Sequence, residues 1–355
     1  MNGHISGHLL LGWLKILTAI TCVAAFIVSC TPTTSQEPAR SEQEPRHALA
    51  AAEQATETRM EEPGVVVAVI DSGIDTGLPL FAGRMWANAD EIPGNGIDDD
   101  GNGYVDDVDG WDFRDNQPPT RTGIHWHGTA VASIIAAGSP ATQTGPLDPR
   151  IRIMNLRVLD SENLFYHIDW PGLTDAIAYA VANGADIINL SIYSYRRPPA
   201  YFEDALSNAQ RCGVAIIGIA GNTGSGTDVM YPGRCAPIIA VAATAENGSP
   251  AEFSCSGKKV EFAAMGEGVE VVLPGGVAER VDGTSFAAPQ VSRAAALVLT
   301  CHPEFSAEEA VRFLRDNAID TGPEGRDIYT GYGIIEPGAI EGVLLGGGVG
   351  AGVSP

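Results

Sequence analysis

The chain is poor in aromatic residues, at 7%, and short of positive charge, with 21 lysines and arginines against 44 aspartates and glutamates. A formal net charge of -23 repels a phosphate backbone, which excludes nucleic acid as a partner. Only six cysteines occur, and none of them has the short paired spacing of a zinc site. No apolar run reaches the roughly 20 residues that a membrane-spanning helix needs. No internal repeat marks a solenoid or a propeller.

What the sequence has in quantity is small and apolar. Of 355 residues 45% are hydrophobic and 42 are glycine, enough for one large domain built on close helix–sheet packing. The apolar stretch Ile16 to Val28 follows Lys15 and has the length of a signal-peptide core. It ends at Ile27-Val28-Ser29-Cys30, which resembles a bacterial lipobox and marks Cys30 for lipidation; an ordinary signal peptide or an uncleaved anchor are the alternatives. The expectation is an exported lipoprotein, held at a membrane and facing the periplasm or the cell exterior. Residues 31–62 are rich in Pro, Ser, Glu and Ala and read as a flexible tether. A domain over 63–340 and a Gly-rich tail over 341–355 follow. Cys212, Cys235, Cys255 and Cys301 form two disulfides, in one of three connectivities, or stay as free thiols.

Val65 to Ile70 is a continuous β-branched run, the pattern of a strand buried on both faces of a parallel sheet. It delivers Asp71 to the strand's carboxyl end, where ligands collect in α/β sheets; a turn carboxylate is the plainer reading. His125-Trp126-His127-Gly128-Thr129 opens a small, apolar helix, with His127 at its start. A metal pair of His125 and His127 lacks a third ligand nearby.

Strands are expected at Ile151 to Val158, Asp186 to Leu190, Val214 to Ile219 and Ile238 to Ala243. Helices are expected at Leu173 to Asn183, Tyr201 to Arg211 and Ser306 to Asn317, and short antiparallel strands over Val260 to Leu273. Such alternation predicts an α/β fold of three layers, a mostly parallel central sheet with helices on both faces. Asn222 closes the Val214 strand as an amide donor or a turn residue. Ser285 sits in Gly283-Thr284-Ser285-Phe286-Ala287-Ala288-Pro289, at the first turn of a buried helix. A hydroxyl there meets unpaired N–H groups and suits a nucleophile as well as an N-cap.

Between Asn95 and Asp109 lies a dense acidic insertion. Asp98, Asp100 and Asn102 alternate before Gly103, then Tyr104 offers a carbonyl and Asp106 and Asp109 follow, the pattern of a calcium loop without EF-hand helices. A solvated acidic loop is the plainer reading. The expected ion is structural Ca2+.

The order Asp71, His127, Ser285 in three separate motifs resembles the subtilisin-like serine proteases, over about Gly64 to Pro337. That resemblance implies a serine endopeptidase with Asp71, His127 and Ser285 as its triad and Asn222 as oxyanion donor. A silent binding protein on the same fold, or a hydrolase or transpeptidase, would share these motifs. The resemblance implies that an extended peptide substrate pairs with Ser191, Ile192 and Tyr193. It places Ala220, Gly221 and Met230 around the P1 pocket (for the residue whose carbonyl is attacked). Met230 and Tyr193 stand where the family commonly has small residues, which implies a shallow, neutral pocket. The segment between Cys30 and Gly64 is shorter than the family's folding prodomain, so unaided folding with calcium, or a partner, is expected. A monomer is expected.

Overall fold

The computed structural model describes residues 64–137 and 148–346. Strand β1, Val65–Asp71, is buried along its whole length. Successive side chains leave opposite faces of a strand, so its residues divide between two cores. Val65, Val67 and Val69 enter one apolar cluster, while Val66, Ala68 and Ile70 enter the other. A strand covered on both faces belongs inside a sheet, and β1 lies between β3 (Ile151–Arg157) and β4 (Ile187–Leu190). The remaining strands of this sheet are β2 (Gly110–Asp112), β5 (Ala215–Ile219), β6 (Ile238–Thr244) and β7 (Val260–Met265). Their spatial order is β2-β3-β1-β4-β5-β6-β7, and every pairing is parallel.

Helices α1 (Trp126–Ala137) and α4 (Thr284–Cys301) cover one face of the sheet. Helices α2 (Trp170–Ala182) and α3 (Ala200–Arg211) cover the other. The three-layer α/β expectation therefore holds. In α4 every residue from Thr284 to Thr300 is buried, and its alanines let helix and sheet approach closely. Even Arg293 is inside: its Nη1 donates to the Ile135 carbonyl at 2.8 Å, and burial lowers its pKa to about 10. Helices α5 (Ala307–Asp316) and α6 (Pro337–Leu344) complete that layer.

Two expectations are corrected, and of the two readings of the cysteines one holds. The stretch Val260 to Leu273 is not wholly antiparallel: β7 pairs in parallel with β6, and only β8 (Val269–Val272) forms an antiparallel hairpin, with β9 (Ala278–Val281). Ala263 and Ala264 are both fully buried, so β7 is a sheet strand covered on both faces and lacks the wet face of a hairpin. The tail read from Glu341 begins inside α6. Pro337 starts that helix at a position where its missing N–H costs nothing, and Ile340 anchors it in the core. The four cysteines of the domain are free thiols, with Cys235 and Cys255 buried and Cys212 and Cys301 exposed. The signal segment, Cys30 and the tether lie outside the described residues. No described helix is long and apolar enough to cross a membrane.

Strand order reverses around β1, since β3 lies to one side and β4 to the other. Crevices form at such a switch point, beyond the carboxyl ends of the strands. Asp71 ends β1, Ser191 follows β4, and Asn222 follows β5 at this same edge.

Candidate active site

The Asp71 side chain is fully buried, and its two oxygens lie 2.9 and 3.0 Å from Nδ1 of His127. A carboxylate can only accept, so Nδ1 carries the proton and Nε2 keeps its lone pair. Ser72 joins the two elements that carry this pair. Its hydroxyl donates to the His125 carbonyl at 3.2 Å and accepts the Gly128 N–H at 2.9 Å. Gly128 has no alternative here: a Cβ would collide with the Gly73 carbonyl oxygen and stand 3.1 Å from Asp71 Oδ1. His125 precedes α1, and its Nδ1 accepts the His127 N–H at 3.2 Å, the bond of an N-cap.

Ser285 lies in the first turn of α4, four residues before Pro289. In an uninterrupted helix the Ser285 carbonyl would accept the N–H of residue 289, but proline has none. The released carbonyl accepts instead from Ser191 Oγ at 2.9 Å. Ser191 Oγ accepts in turn from Asn189 Nδ2 at 3.1 Å, and Asn189 Oδ1 accepts from Ser292 Oγ at 2.9 Å. This buried relay pins the first turn of α4 to the end of β4. The ring of Phe286, next in the helix, lies 5.5 Å from the His127 ring and stacks on Trp126 at 6.3 Å.

Asn222 is oriented by its acceptor end. Its Oδ1 takes the Thr284 N–H at 2.9 Å and the Thr284 hydroxyl at 2.7 Å, which leaves the Nδ2 donor for the cleft. A cavity of about 570 Å³ opens over these groups, lined by His127, Asn222 and Ser285 and flanked by Ser191, Ile192 and Tyr193. Ala220, Gly221 and Met230 do not line it; they are buried behind its wall. Gly221 has φ +112°, and a Cβ there would run into the Met230 side chain. The Thr223 hydroxyl lies 3.1 Å from the Cys255 sulfur beside it.

The profile of the subtilase family (peptidase S8) matches residues 62–333. The chain belongs to the subtilase family. It is similar to Subtilisin Savinase of Lederbergia lenta, 31% identical over 259 residues, or 73% of this chain and 85% of the relative. It is also 31% identical to an alkaline protease of Alkalihalobacillus alcalophilus over 73% of this chain, which spans only 60% of that relative's length. Among solved structures, the prenylagaramide maturation protease PagA superposes with a TM-score of 0.60 at 27% identity, covering 82% of this chain and 97% of the other. The chain is thus a homologue of subtilisin-like serine proteases.

The acidic loop of this subtilase is organised differently from the calcium pattern read in its sequence. Asp98 spends its carboxylate on the Asn102 and Gly103 N–H groups, and Asp106 spends its own on those of Asn95 and Gly96. Tyr104 anchors the loop through its ring, which packs edge-on against Trp111, Phe113 and Tyr179. Asp109 stands outside the cluster that does form. That cluster is Glu91, Asp100 and Asp107, whose nearest oxygens lie within 4.8 Å of one another. Asn102 joins it through Nδ2, 2.9 Å from both Asp100 and Asp107. Burial, and then the neighbouring Asp107 charge, push the Asp100 carboxyl above its usual range despite the amides beside it. The Tyr179 hydroxyl donates to Asp107 at 2.6 Å, and burial followed by that carboxylate pushes its pKa far above normal.

Sequence reasoning missed Glu91 because it lies outside the loop and has no local pattern. It missed Ser72 and Thr284 as positioning groups, although each adjoins a motif residue. His125 is a titrating group beside the Asp71–His127 pair. Burial, then the nearby His127, hold its pKa below the usual 6.5, with Asp71 and Asp160 pulling the other way. The folded state therefore favours neutral His125, whose Nδ1 can accept. Its stabilising effect is complete above pH ~6.5 and is lost as pH falls through the lower folded value. Replacing His125 by Ala should cost about 1 kcal/mol, the usual worth of an N-cap. His125→Asn keeps an acceptor without a titrating group, so its melting temperature should gain on wild type between pH 7.5 and pH 5. Parallel pH dependence in thermal unfolding would contradict the capping role.

Proposed function

We propose that this subtilase is an endopeptidase that cuts peptide bonds through an acyl-enzyme. The observation that carries the reading is the buried Asp71–His127 pair opening on the same cavity as Ser285 and the donor end of Asn222. Asp71 fixes the imidazole tautomer and stabilises the imidazolium. His127 Nε2 takes the Ser285 proton as Oγ attacks the carbonyl, then returns it to the leaving amine. Asn222 Nδ2 and the Ser285 N–H hold the oxyanion. Water repeats the sequence in reverse and frees the acid. The substrate lies extended along Ser191, Ile192 and Tyr193, where backbone pairing asks little of its side chains.

The P1 pocket ends early in this reading, because Met230 fills the space behind Gly221 and the groups around it, Thr223 and Cys255, carry no charge. Small or medium apolar P1 residues fit such a pocket. Incubating a mixed peptide library with the protein and reading the cuts by mass spectrometry tests both points. Hydrolysis products ending in residues such as Ala or Leu are expected. Asn222→Ala should lower kcat by about 10²–10³, a magnitude taken from the corresponding asparagine of subtilisin, which is itself the standard example. Equal cutting after Lys and Leu would refute the pocket, and no cutting by folded protein would refute the enzyme.

We infer as well that the acidic loop holds structural calcium. Glu91, Asp100 and Asp107 give an all-oxygen, triply negative donor set that suits a hard divalent cation. A bound ion would relieve their repulsion and stabilise the folded chain. At a hundredfold excess over Kd, binding adds about 2.7 kcal/mol, a rise in melting temperature of roughly 5 °C for a domain this size. Calcium should raise the melting temperature of wild type by that amount and leave Asp107→Asn nearly unmoved; an equal rise in both would exclude the site. Export and anchoring through a lipid on Cys30 complete the proposal, supported by the Ile27 to Cys30 segment.

A further inference from the structure

The catalytic groups occupy one end of the cleft. The other end is walled by Phe165, Tyr166 and His167, from the connection between β3 and α2, and by Tyr193, Tyr195 and Arg196, which follow β4. Phe165 is seated edge-on against Trp170 of α2 at 4.8 Å, so this wall is anchored in the core. The rings of Tyr193 and Tyr195 meet edge to face at 5.8 Å, yet Tyr195 remains 74% exposed. Large aromatic surface beside an active cleft is unusual in a chain with so few aromatics, and it marks a recognition surface.

This wall also carries an arginine in a chain whose net charge is strongly negative. Acidic residues outnumber basic ones two to one in the chain, 44 to 21. Neighbouring arginines are accordingly matched: Arg197 pairs with Glu203 at 3.0 Å and Arg234 with Asp228 at 3.2 Å. Arg196 has no acidic partner among the described residues, and only its backbone N–H is engaged, by Ser194 Oγ at 3.2 Å. The carboxylates nearest the cleft are turned to backbone amides. Asp282 accepts the Gly268 N–H at 2.7 Å, and Asp160 accepts those of Glu162 and Leu164 at 3.0 and 2.9 Å. Glu162 is exposed and does not line the cavity. A guanidinium on an aromatic rim, uncompensated by its own chain, suits a carboxylate brought in by a ligand.

We propose that this end of the cleft recognises an acidic side chain of the substrate, with Arg196 as the counter-charge and Tyr193 and Tyr195 as the wall against which it packs. The proposal rests on the endopeptidase reading of the same cleft.

The test uses the full chain and a set of otherwise neutral peptides with one cut site. Asp, Asn or Lys is placed singly at each of the four positions on either side of the bond, and kcat/KM is measured at low and high salt. Wild type should prefer Asp over Asn by about 1.5-fold to fivefold at one of those positions, less at high salt, the range of an exposed ion pair. The preference should vanish in Arg196→Gln and turn toward Lys in Arg196→Glu. Equal rates for Asp and Asn peptides in wild type, or a preference that survives Arg196→Gln, would overturn the subsite while leaving the enzyme reading intact. Failure to cut even the neutral peptide would overturn both.

Discussion

A proline that cannot donate a hydrogen bond fixes the position of Ser285, the proposed nucleophile. Pro289 leaves the Ser285 carbonyl without its helical partner inside a helix that is buried from Thr284 to Thr300. A buried carbonyl without a donor costs about 1–3 kcal/mol, so the fold must bring one to it. Ser191 supplies the donor, and Asn189 and Ser292 complete the relay. Because Ser191 continues β4, the first turn of α4 is registered against the strand beside β1. The Ser285 hydroxyl and the backbone edge that would bind substrate are thus set by one network.

The same economy governs the other half of the site. Asp71 is the last residue of β1, and α1 begins close by only because Gly128 lacks a Cβ and Ser72 bridges the two segments. Phe286 and Trp126 then lock α1 against α4. Asp71, His127 and Ser285 therefore each project from a strand or helix, and the relative positions of those elements are fixed by buried polar contacts and close glycine packing. Preorganisation of this kind is what a hydrolase needs where charge develops in the transition state. The surface follows another logic: excess negative charge everywhere, gathered into one loop that a cation would neutralise, and relieved at one end of the cleft by Arg196.

Much of this was legible in the sequence, and for identifiable reasons. A β-branched run such as Val65 to Ile70 has no polar residue to spare, which already places it inside the sheet. Asp71 and Asn222 follow, and His127 and Ser285 open, elements whose apolar character announces them, and the structure brings all four to one edge. The parallel β7 was not legible, because alternation disappears in a strand buried on both faces and Val260 to Met265 offers nothing else. Spacing within the acidic loop pointed to ligands but could not show that Asp98 and Asp106 also brace its backbone or that Glu91 arrives from outside. The cleft rim at Tyr195 and Arg196 depends on which loops meet in space, and no local pattern encodes that.

The central claim is that Ser285 is a nucleophile activated by His127 and held there by Asp71. Mass-spectrometric mapping of a fluorophosphonate adduct tests it most directly, since the probe reports on the serine without any assumption about substrate. A single adduct on Ser285 is expected in wild type. Asp71→Asn, with the wrong imidazole tautomer, should slow its formation by about 10⁴-fold, the scale known for subtilisin's own aspartate. No adduct on folded protein, an adduct elsewhere, or an unchanged rate in Asp71→Asn would contradict the account.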